Sequence, residues 1–335
     1  MSEPPPLLGE SRAFVAMLEH VSRVAPLDRP LLVIGERGTG KELIGARLHF
    51  LSRRWDRPFV KVNCAALSDD LLESELFGHE AGAFTGAARR HVGRFERAEG
   101  GTLFLDEIAT ASSRVQEKIL RVVEYGELER VGGSATLLVD VRVIAATNVD
   151  LPARAAAGTF RADLLDRLAF DVVTLPPLRA RPEDIPLLAD HFAVAMAREL
   201  GLPEFPGFAP AALEAMADHG WPGNVRELRN AVERAVAKAP RLDRPLETVD
   251  IDPFRSPHRP RDAMAAPLAA EVPEEGGSAP DSADSYHDRV RRLEVDLLTR
   301  ALAENQHHQG RAAAQLGLSY DQFRGQLRKH GMKAK

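Results

Sequence analysis

Cysteine is nearly missing from this chain of 335 residues, with Cys64 the single example. One thiol excludes an intramolecular disulfide and any cysteine-rich zinc site. Long apolar runs are missing too. No stretch of 18 apolar residues occurs, so no transmembrane helix is expected. The opening MSEPPPLLGE has neither the basic nor the apolar region of a secretory signal, and a reducing cytoplasm is the expected setting. Positive charge is not in excess. Lys and Arg number 44 against 49 Asp and Glu, a net charge of -5, which excludes a basic nucleic-acid coat but not a locally basic segment. There is no internal repeat. What remains is ordinary globular composition, 44% hydrophobic and 28% charged, with length for about two domains.

The composition breaks once. Residues 253–286 hold six prolines (Pro253, Pro257, Pro260, Pro267, Pro273 and Pro280) and the pair Gly276-Gly277, with almost no large apolar residues. Such a stretch buries too little surface to offset its ordering entropy and reads as a flexible linker. It separates a body, about 7–250, from a tail, about 287–335. From Gly310 onward, Arg311, Arg324, Arg328, Lys329, Lys333 and Lys335 face one acid, Asp321. This local +5 in an acidic chain suits a polyanion, or else a solvated helix face.

In the body, short β-rich runs (Leu31–Ile34, Phe59–Asn63, 102–105 and 141–145) alternate with helical patterns such as 115–123, where Val115, Ile119, Leu120, Val122 and Val123 recur. That alternation predicts an α/β fold, a parallel sheet covered by helices. From Arg181 to Ala239 no strand pattern occurs, and residues 185–200, 210–219 and 224–239 read as helices. An α/β core is therefore followed by a helical subdomain.

Gly35-Glu36-Arg37-Gly38-Thr39-Gly40-Lys41 stands between the LLVI strand and a helix, the context a phosphate-binding loop requires. Its backbone N–H groups close around phosphate oxygens, the helix N-terminus adds a favourable dipole, and Lys41 neutralises the β/γ-phosphates. Glu42 occupies the place of the usual Ser or Thr, a departure from the generic pattern. A plain Gly-rich turn is the competing reading. The run 101–107, GTLFLDE, ends an apolar strand in two carboxylates, a costly arrangement unless it serves a cation. Asp106 would hold Mg²⁺ and Glu107 would polarise the attacking water, so hydrolysis of a nucleoside triphosphate is expected. Asn148, after the strand that should lie beside the acidic one, is a γ-phosphate sensor candidate. Asn63 either holds Glu107 through its amide or caps its own strand end. Cys64 reads as a small buried apolar residue.

Residues 82–87, Gly82-Ala83-Phe84-Thr85-Gly86-Ala87, form a Gly/Ala-rich insertion with one aromatic at its centre. Tipped by Phe84 and Thr85, it would expose an apolar group for a protein contact; a buried turn is the alternative. GAFTGA at 82–87, between GERGTGKE (35–42) and GGTLFLDE (100–107) and followed by FRADLLDRL (160–168) and WPGNVREL (221–228), resembles the AAA+ ATPases of sigma-54-dependent bacterial enhancer-binding activators. The resemblance covers all but the linker, and that family regularly carries Glu at position 42.

The resemblance implies a P-loop AAA+ core at 7–178, a helical lid at 179–250, a linker at 251–286 and a Fis-type helix-turn-helix at 287–335. It assigns Asn63 to pairing with the catalytic glutamate, and Arg161 and Arg167 to arginine fingers that reach a neighbouring subunit's ATP. Arg226 becomes the lid arginine that reads the nucleotide, and Phe84 and Thr85 the contact to sigma-54 in the RNA polymerase holoenzyme. It also implies a ring hexamer. Segments 47–55, 161–173 and 318–324 are similar to the members that activate phage shock operons, which implies phage shock protein A as a negative regulator. With the core starting almost at the first residue, no receiver domain is expected, so control in trans is. Trp55, after Arg53 and Arg54, is a candidate docking residue or a partly buried packing residue.

In the tail, Val290, Leu293, Leu297, Leu298, Ala301 and Leu302 form a helical stripe. A short helix with Ala312, Ala313 and Leu316 inward, a turn at Gly317 and a helix capped by Ser319 give helix-turn-helix spacing. Arg311, Ser319, Tyr320, Gln322, Arg324, Arg328 and Lys329 are the candidates for contacting enhancer DNA. An oligomerisation knob is the alternative. Asp321 stands where the family's tail often has a basic residue. Two other functional classes keep the nucleotide site: a general AAA+ remodeller, which needs neither GAFTGA nor a DNA-binding tail, and a repressor whose nucleotide site is regulatory.

Overall fold

The computed structural model describes residues 7–202, 204–239, 243–254, 286–305 and 308–330. The chain divides into two units, residues 1–259 and 260–335. The first contains α1 (Arg12–Val24), β1 (Leu31–Ile34), α2 (Lys41–Phe50), β2 (Phe59–Asn63), α3 (Asp69–Phe77), α4 (Arg94–Arg97), β3 (Thr102–Asp106), α5 (Ser113–Tyr125), β4 (Glu127–Glu129) and β5 (Thr136–Leu138). It continues through β6 (Arg142–Thr147), α6 (Leu151–Ala156), α7 (Ala162–Leu168), β7 (Val172–Thr174), α8 (Asp184–Glu199), α9 (Pro210–Asp218) and α10 (Asn224–Lys238).

Five strands form a parallel sheet in the order β2-β3-β6-β1-β7. Side chains alternate along each strand, so one strand feeds two cores. Leu32, Leu103, Leu105, Val143 and Ala145 pack on one face with Leu72 and Phe77 of α3 and Ile119 of α5. Leu31, Val33, Phe104, Ile144 and Ala146 pack on the other with α1 and α2. All six residues of β6 are buried, as expected for a central strand covered on both sides. A third core, built on Trp221 with residues of α8 and α10, belongs to the helical part.

The strands and helices expected from pattern occur, with ends moved by a residue or two. The three-residue edge strand β7 and the antiparallel hairpin β4–β5 had no expectation. Both are too short for a periodic signal.

The second unit has α11 (Tyr286–Glu304), α12 (Gln309–Gln315) and α13 (Tyr320–Lys329). Leu298, Ala301, Ala312, Ala313, Phe323 and Leu327 make its core, and Gly317 turns the chain between α12 and α13 with φ 66°. The segment read as a linker, 251–286, lies outside the described residues except for 251–254 and 286. The side chains of Val290 and Leu293, placed on the stripe, and the basic residues Lys333 and Lys335 also lie outside them. Among the described residues, no helix is long and apolar enough to cross a membrane.

Candidate functional site

Parallel pairing puts the carboxyl ends of β1, β3 and β6 side by side, where open α/β sheets bind ligands. The chain leaves β1 into the loop 35–40 and enters α2 at Lys41, with Gly40 as its left-handed cap (φ 99°). Gly38 also has positive φ (77°), and a Cβ there would stand 2.2 Å from the carbonyl oxygen of Gly223. Glycine is therefore required for both turn and packing. Thr39 is buried and its hydroxyl donates to the Glu36 carbonyl (2.8 Å).

Lys41 is buried. Its Nζ donates to the carbonyl of Gly35 (3.0 Å) and lies 3.9 Å from Glu107 Oε1. Burial lowers its pKa, while the carboxylates of Glu107 and Asp106 oppose that shift. Asp106 ends β3, and its Oδ1 accepts from the Glu107 N–H (3.0 Å). Glu107 itself is left-handed (φ 52°). Among the described residues, the non-glycine positions with positive φ are Glu107, Trp221 and Asn224. Such conformations cost about 1–3 kcal/mol each and concentrate at functional sites.

The phosphate loop is joined to the helical part. Arg179 pairs with Glu36 through two bonds (2.8 and 2.5 Å), and Asn224 Nδ2 donates to Glu36 Oε2 and to the Arg37 carbonyl, each at 3.0 Å. The Asn224 oxygen accepts from Leu178 N (2.8 Å). These bonds, Arg179 first, hold the Glu36 carboxyl down to about 2 from an ordinary 4.5. Arg226, exposed, follows on the same helix, and its Cβ would be 3.0 Å from a Cβ on Gly38. A cavity of about 130 Å³ opens beside Gly38, Thr39 and Gly40, walled chiefly by Leu7, Leu8, Leu43, Leu188 and Phe192.

Other expected residues fall into place differently. Asn148 directly follows β6, between the loop strand and the acidic strand. Asn63 is in register with Asp106. Its side-chain oxygen accepts from Ala65 N (2.9 Å), and no hydrogen bond to Glu107 forms among the described residues. The capping alternative is the one realised, because the chain turns into a 3-10 helix directly after β2. The carboxylate of Glu42, the residue after the loop lysine, is paired with Lys61 of β2 (2.6 Å). Cys64 is buried. Burial and the neighbouring Asp106 and Glu107 carboxylates push its thiol up to about 12. Arg161 caps α7 and chelates Asp163 (3.0 and 2.6 Å), while Arg167 near the helix end pairs with Glu124 (2.6 Å).

The insertion is a compact loop. A bridge between His79 and His91 closes its neck, and Gly82 N donates to Ala87 O (2.8 Å) across it. Phe84 is 45% exposed and Thr85 is exposed, whereas Ala87 is buried. The His79 ring meets Phe84 edge-on at 4.9 Å. Glu80 N donates to Val131 O (3.0 Å), and Arg130 binds Glu80 (2.8 Å) and Glu96 (2.9 Å). Trp55 is 53% exposed on a turn anchored by Arg54, which binds Asp28 and Asp140 (each 2.7 Å).

In the tail, Ser319 and Gln322 form a reciprocal capping box (2.9 and 3.3 Å), so Gln322 is engaged at the helix start. Lys329 is tied to Glu294 (2.9 Å). Tyr320 and Arg311 are exposed, the Arg324 guanidinium lies 5.8 Å from the Tyr320 ring centre, and Arg328 is exposed. The reading of the sequence missed Asn224 and Arg179. Their signal, a WPGN turn and an arginine after Pro177, carries no distance information until the chain folds back onto the loop.

The sigma-54 interaction domain family matches residues 7–174, and the AAA+ ATPase lid domain family matches residues 179–265. The chain is 58% identical over 324 residues to the Psp operon transcriptional activator of Escherichia coli (strain K12), covering 97% of each. It is 52% identical over 230 residues to the transcriptional regulatory protein ZraR of Salmonella typhimurium, covering 69% of this chain and 52% of that one. Among solved structures, NtrX from Brucella abortus in complex with ATP superposes with a TM-score of 0.68 at 33% identity, over 98% of this chain and 70% of that one. The chain therefore belongs to the sigma-54 interaction domain family: it is an AAA+ ATPase with its lid, and its ATP hydrolysis drives sigma-54-dependent activation of transcription.

Proposed function

We propose that this chain activates an operon of the phage shock type, converting the closed complex of RNA polymerase and sigma-54 into the open one. The observation that carries the proposal is the approach of buried Lys41 to within 3.9 Å of Glu107 at the mouth of the phosphate loop, in a chain that also exposes Phe84 on a closed loop. ATP fits the loop 35–42, with Arg226 beside Gly38 on the lid side. Magnesium fits Asp106, since that ion is commonly held by one or two carboxylates together with substrate phosphates. Bound there, it would neutralise phosphate charge. Lys41 holds the phosphates, Glu107 orients the water and Asn148 reports the γ-phosphate.

The division of labour follows the segments: ATPase core 7–178, lid 179–250, linker 251–286 and DNA-binding tail 287–335. Arg161, half-buried at the N-cap of α7, and Arg167, exposed near its end, reach the surface and have carboxylate partners within their own chain, which suits fingers that act on a neighbour in a ring hexamer. An arginine supplied in trans is worth about 10³–10⁵ in rate, so turnover rises with assembly. The loop 82–87 delivers the resulting movement to sigma-54. Residues Arg311, Ser319, Tyr320, Gln322, Arg324, Arg328 and Lys329 face enhancer DNA, with Gln322 and Lys329 contributing after their intrachain bonds exchange. Tethering upstream raises the local concentration at the promoter. Exposed Trp55 is the docking point for phage shock protein A.

In vitro transcription from a sigma-54 promoter tests this reading. Full-length protein with ATP yields transcript, and Lys41→Ala, which loses the phosphate cation, yields none. Transcript from Lys41→Ala, or steady ATP turnover without any engagement of sigma-54, refutes it.

A further inference from the structure

Gln116 lies in the first turn of α5 and is buried. Both ends of its amide are engaged outside its own helix. Its Nε2 donates to the Ala111 carbonyl (2.7 Å), and its Oε1 accepts from the backbone N–H of Arg161 (2.8 Å), 45 positions later in the chain. Ala111 closes the turn that starts at Glu107. That turn has bonds of its own: the Glu107 carbonyl accepts from the N–H (3.0 Å) and the hydroxyl (2.8 Å) of Thr110, and Ala111 N donates to the Ile108 carbonyl (3.1 Å). It therefore keeps its shape without Gln116.

Arg161 is placed differently. It is the N-cap of α7, so its N–H has no acceptor within that helix, and the Gln116 oxygen satisfies it. Phe160 before it and Leu164 after it are buried in the same core as Val115 and Ile119 of α5. The root of this side chain is thus fixed by one amide and two apolar anchors. Its guanidinium is held far less firmly. It is 37% exposed and pairs with Asp163, itself 52% exposed, and a pair so open to water contributes little. A rigid root carries a tip that can exchange its partner.

Resting on the reading of Arg161 as a finger for a neighbouring subunit, we infer that Gln116 is the positioning residue for that finger. Losing its amide leaves the Arg161 N–H and the Ala111 carbonyl unpaired and frees the start of α7 to shift. The charge then reaches the neighbour's ATP out of place, and a misplacement of about 1 Å costs about 10²-fold in rate. The defect falls on the site to which this protomer lends its arginine, whereas its own phosphate loop, Lys41 and Glu107 stay intact.

The experiment measures ATP turnover by the full chain as Gln116→Met, which keeps the side chain's length and loses both hydrogen bonds. kcat is expected to fall about 10- to 100-fold, with KM for ATP and affinity for ADP within about twofold, because the finger acts in the transition state. The variant is then diluted into a large excess of Glu107→Gln subunits, which are inert themselves but carry an intact finger and Gln116. Turnover per Gln116→Met subunit should rise about tenfold or more, towards that of wild-type subunits diluted in the same excess, since its fingers now come from its neighbours. A general loss of structure, or a defect in the variant's own Glu107, is not repaired by dilution. Absence of that recovery overturns the proposal, as does an unchanged kcat or a raised KM at full kcat in the folded variant. Where Gln116→Met does not fold, Gln116→Asn, whose shorter amide cannot span both partners, carries the same comparison. Arg161→Ala diluted in the same way should recover too; its failure to do so overturns the finger reading itself.

Discussion

Asn224 is the residue whose replacement should cost most for its size. It is fully buried, left-handed (φ 52°), and its amide joins three partners: the Glu36 carboxylate, the Arg37 carbonyl and the Leu178 N–H. Asn224→Ala removes all three bonds at once. Leu178 is buried, so its N–H is left without a partner, a loss of about 1–3 kcal/mol. Alanine also tolerates left-handed backbone less well than asparagine, at about 1 kcal/mol. The Glu36 bond contributes less than its charge suggests, because that carboxylate is 41% exposed and screened by water. The sum is about 2–4 kcal/mol, or about 5–10 °C in Tm for a unit of this size.

Thermal unfolding of the full chain, followed by the fluorescence of buried Trp221 and by circular dichroism, reads this directly. Asn224→Asp separates the terms. It keeps the acceptor for Leu178 and the tolerance for positive φ, but sets a second carboxylate against Glu36. Its deficit should be largest above about pH 5 and shrink as pH falls and one carboxyl takes up a proton. An Asn224→Ala protein within about 0.5 kcal/mol of wild type refutes the reasoning, as does an Asn224→Asp deficit that grows on acidification.

Thr85→Ala should leave ATP turnover unchanged and abolish promoter opening, since Thr85 is exposed on the loop and remote in sequence from the phosphate site; normal transcription from the variant rejects that role. Cys64 should stay unmodified by a thiol reagent at neutral pH in native protein and react fully after denaturation, because its thiol is held near 12; rapid native labelling contradicts the burial. In Arg179→Ala, the Glu36 carboxyl should titrate closer to 4.5 than to 2 by NMR. The stability that Arg179 lends is present above about pH 4.5 and is lost as pH falls towards 2, so an unmoved titration rejects the pair. Truncation near Pro260 should retain ATPase activity and lose site-specific footprints on DNA; unchanged footprints disprove the assignment of the tail.

Legibility in the sequence followed the range of the interaction. The phosphate loop is contiguous, and its strand–loop–helix context is local, so residues 35–41 could be read from order alone. Asp106 and Glu107 were legible because two acids at the end of the apolar run TLFLD violate burial rules unless they serve a site. Phe84 was legible because an aromatic among glycines and alanines has no core to join, and it is exposed. Short-range competition decided where some polar side chains find their partners. Asn63 satisfies the N–H of Ala65, two residues ahead, before it can reach a carboxylate on the next strand. Gln322 closes a capping box three residues from Ser319. Polar side chains near a turn find backbone partners first, and a reading that assigns them to ligands overlooks that competition.

The lid contacts were illegible for the opposite reason. Arg179, Asp184 and Asn224 meet the loop and the first residues across separations of 143 to 188 positions, and no periodicity encodes a pairing of that range. Yet Arg179 and Asn224 are the residues that join the helical part directly to the phosphate loop. Glu36 and the Arg37 carbonyl sit within the loop, and a ligand that shifts the loop shifts the acceptors of Asn224 directly. Leu178, at the other side of the same amide, begins the passage into the lid. A single asparagine thus links two residues of the phosphate loop to the first residue of the passage into the lid. Losing these bonds leaves buried polar groups unpaired, at about 1–3 kcal/mol each. This amide and the Arg179–Glu36 pair are thus the direct hydrogen-bonded links between the phosphate loop and the lid.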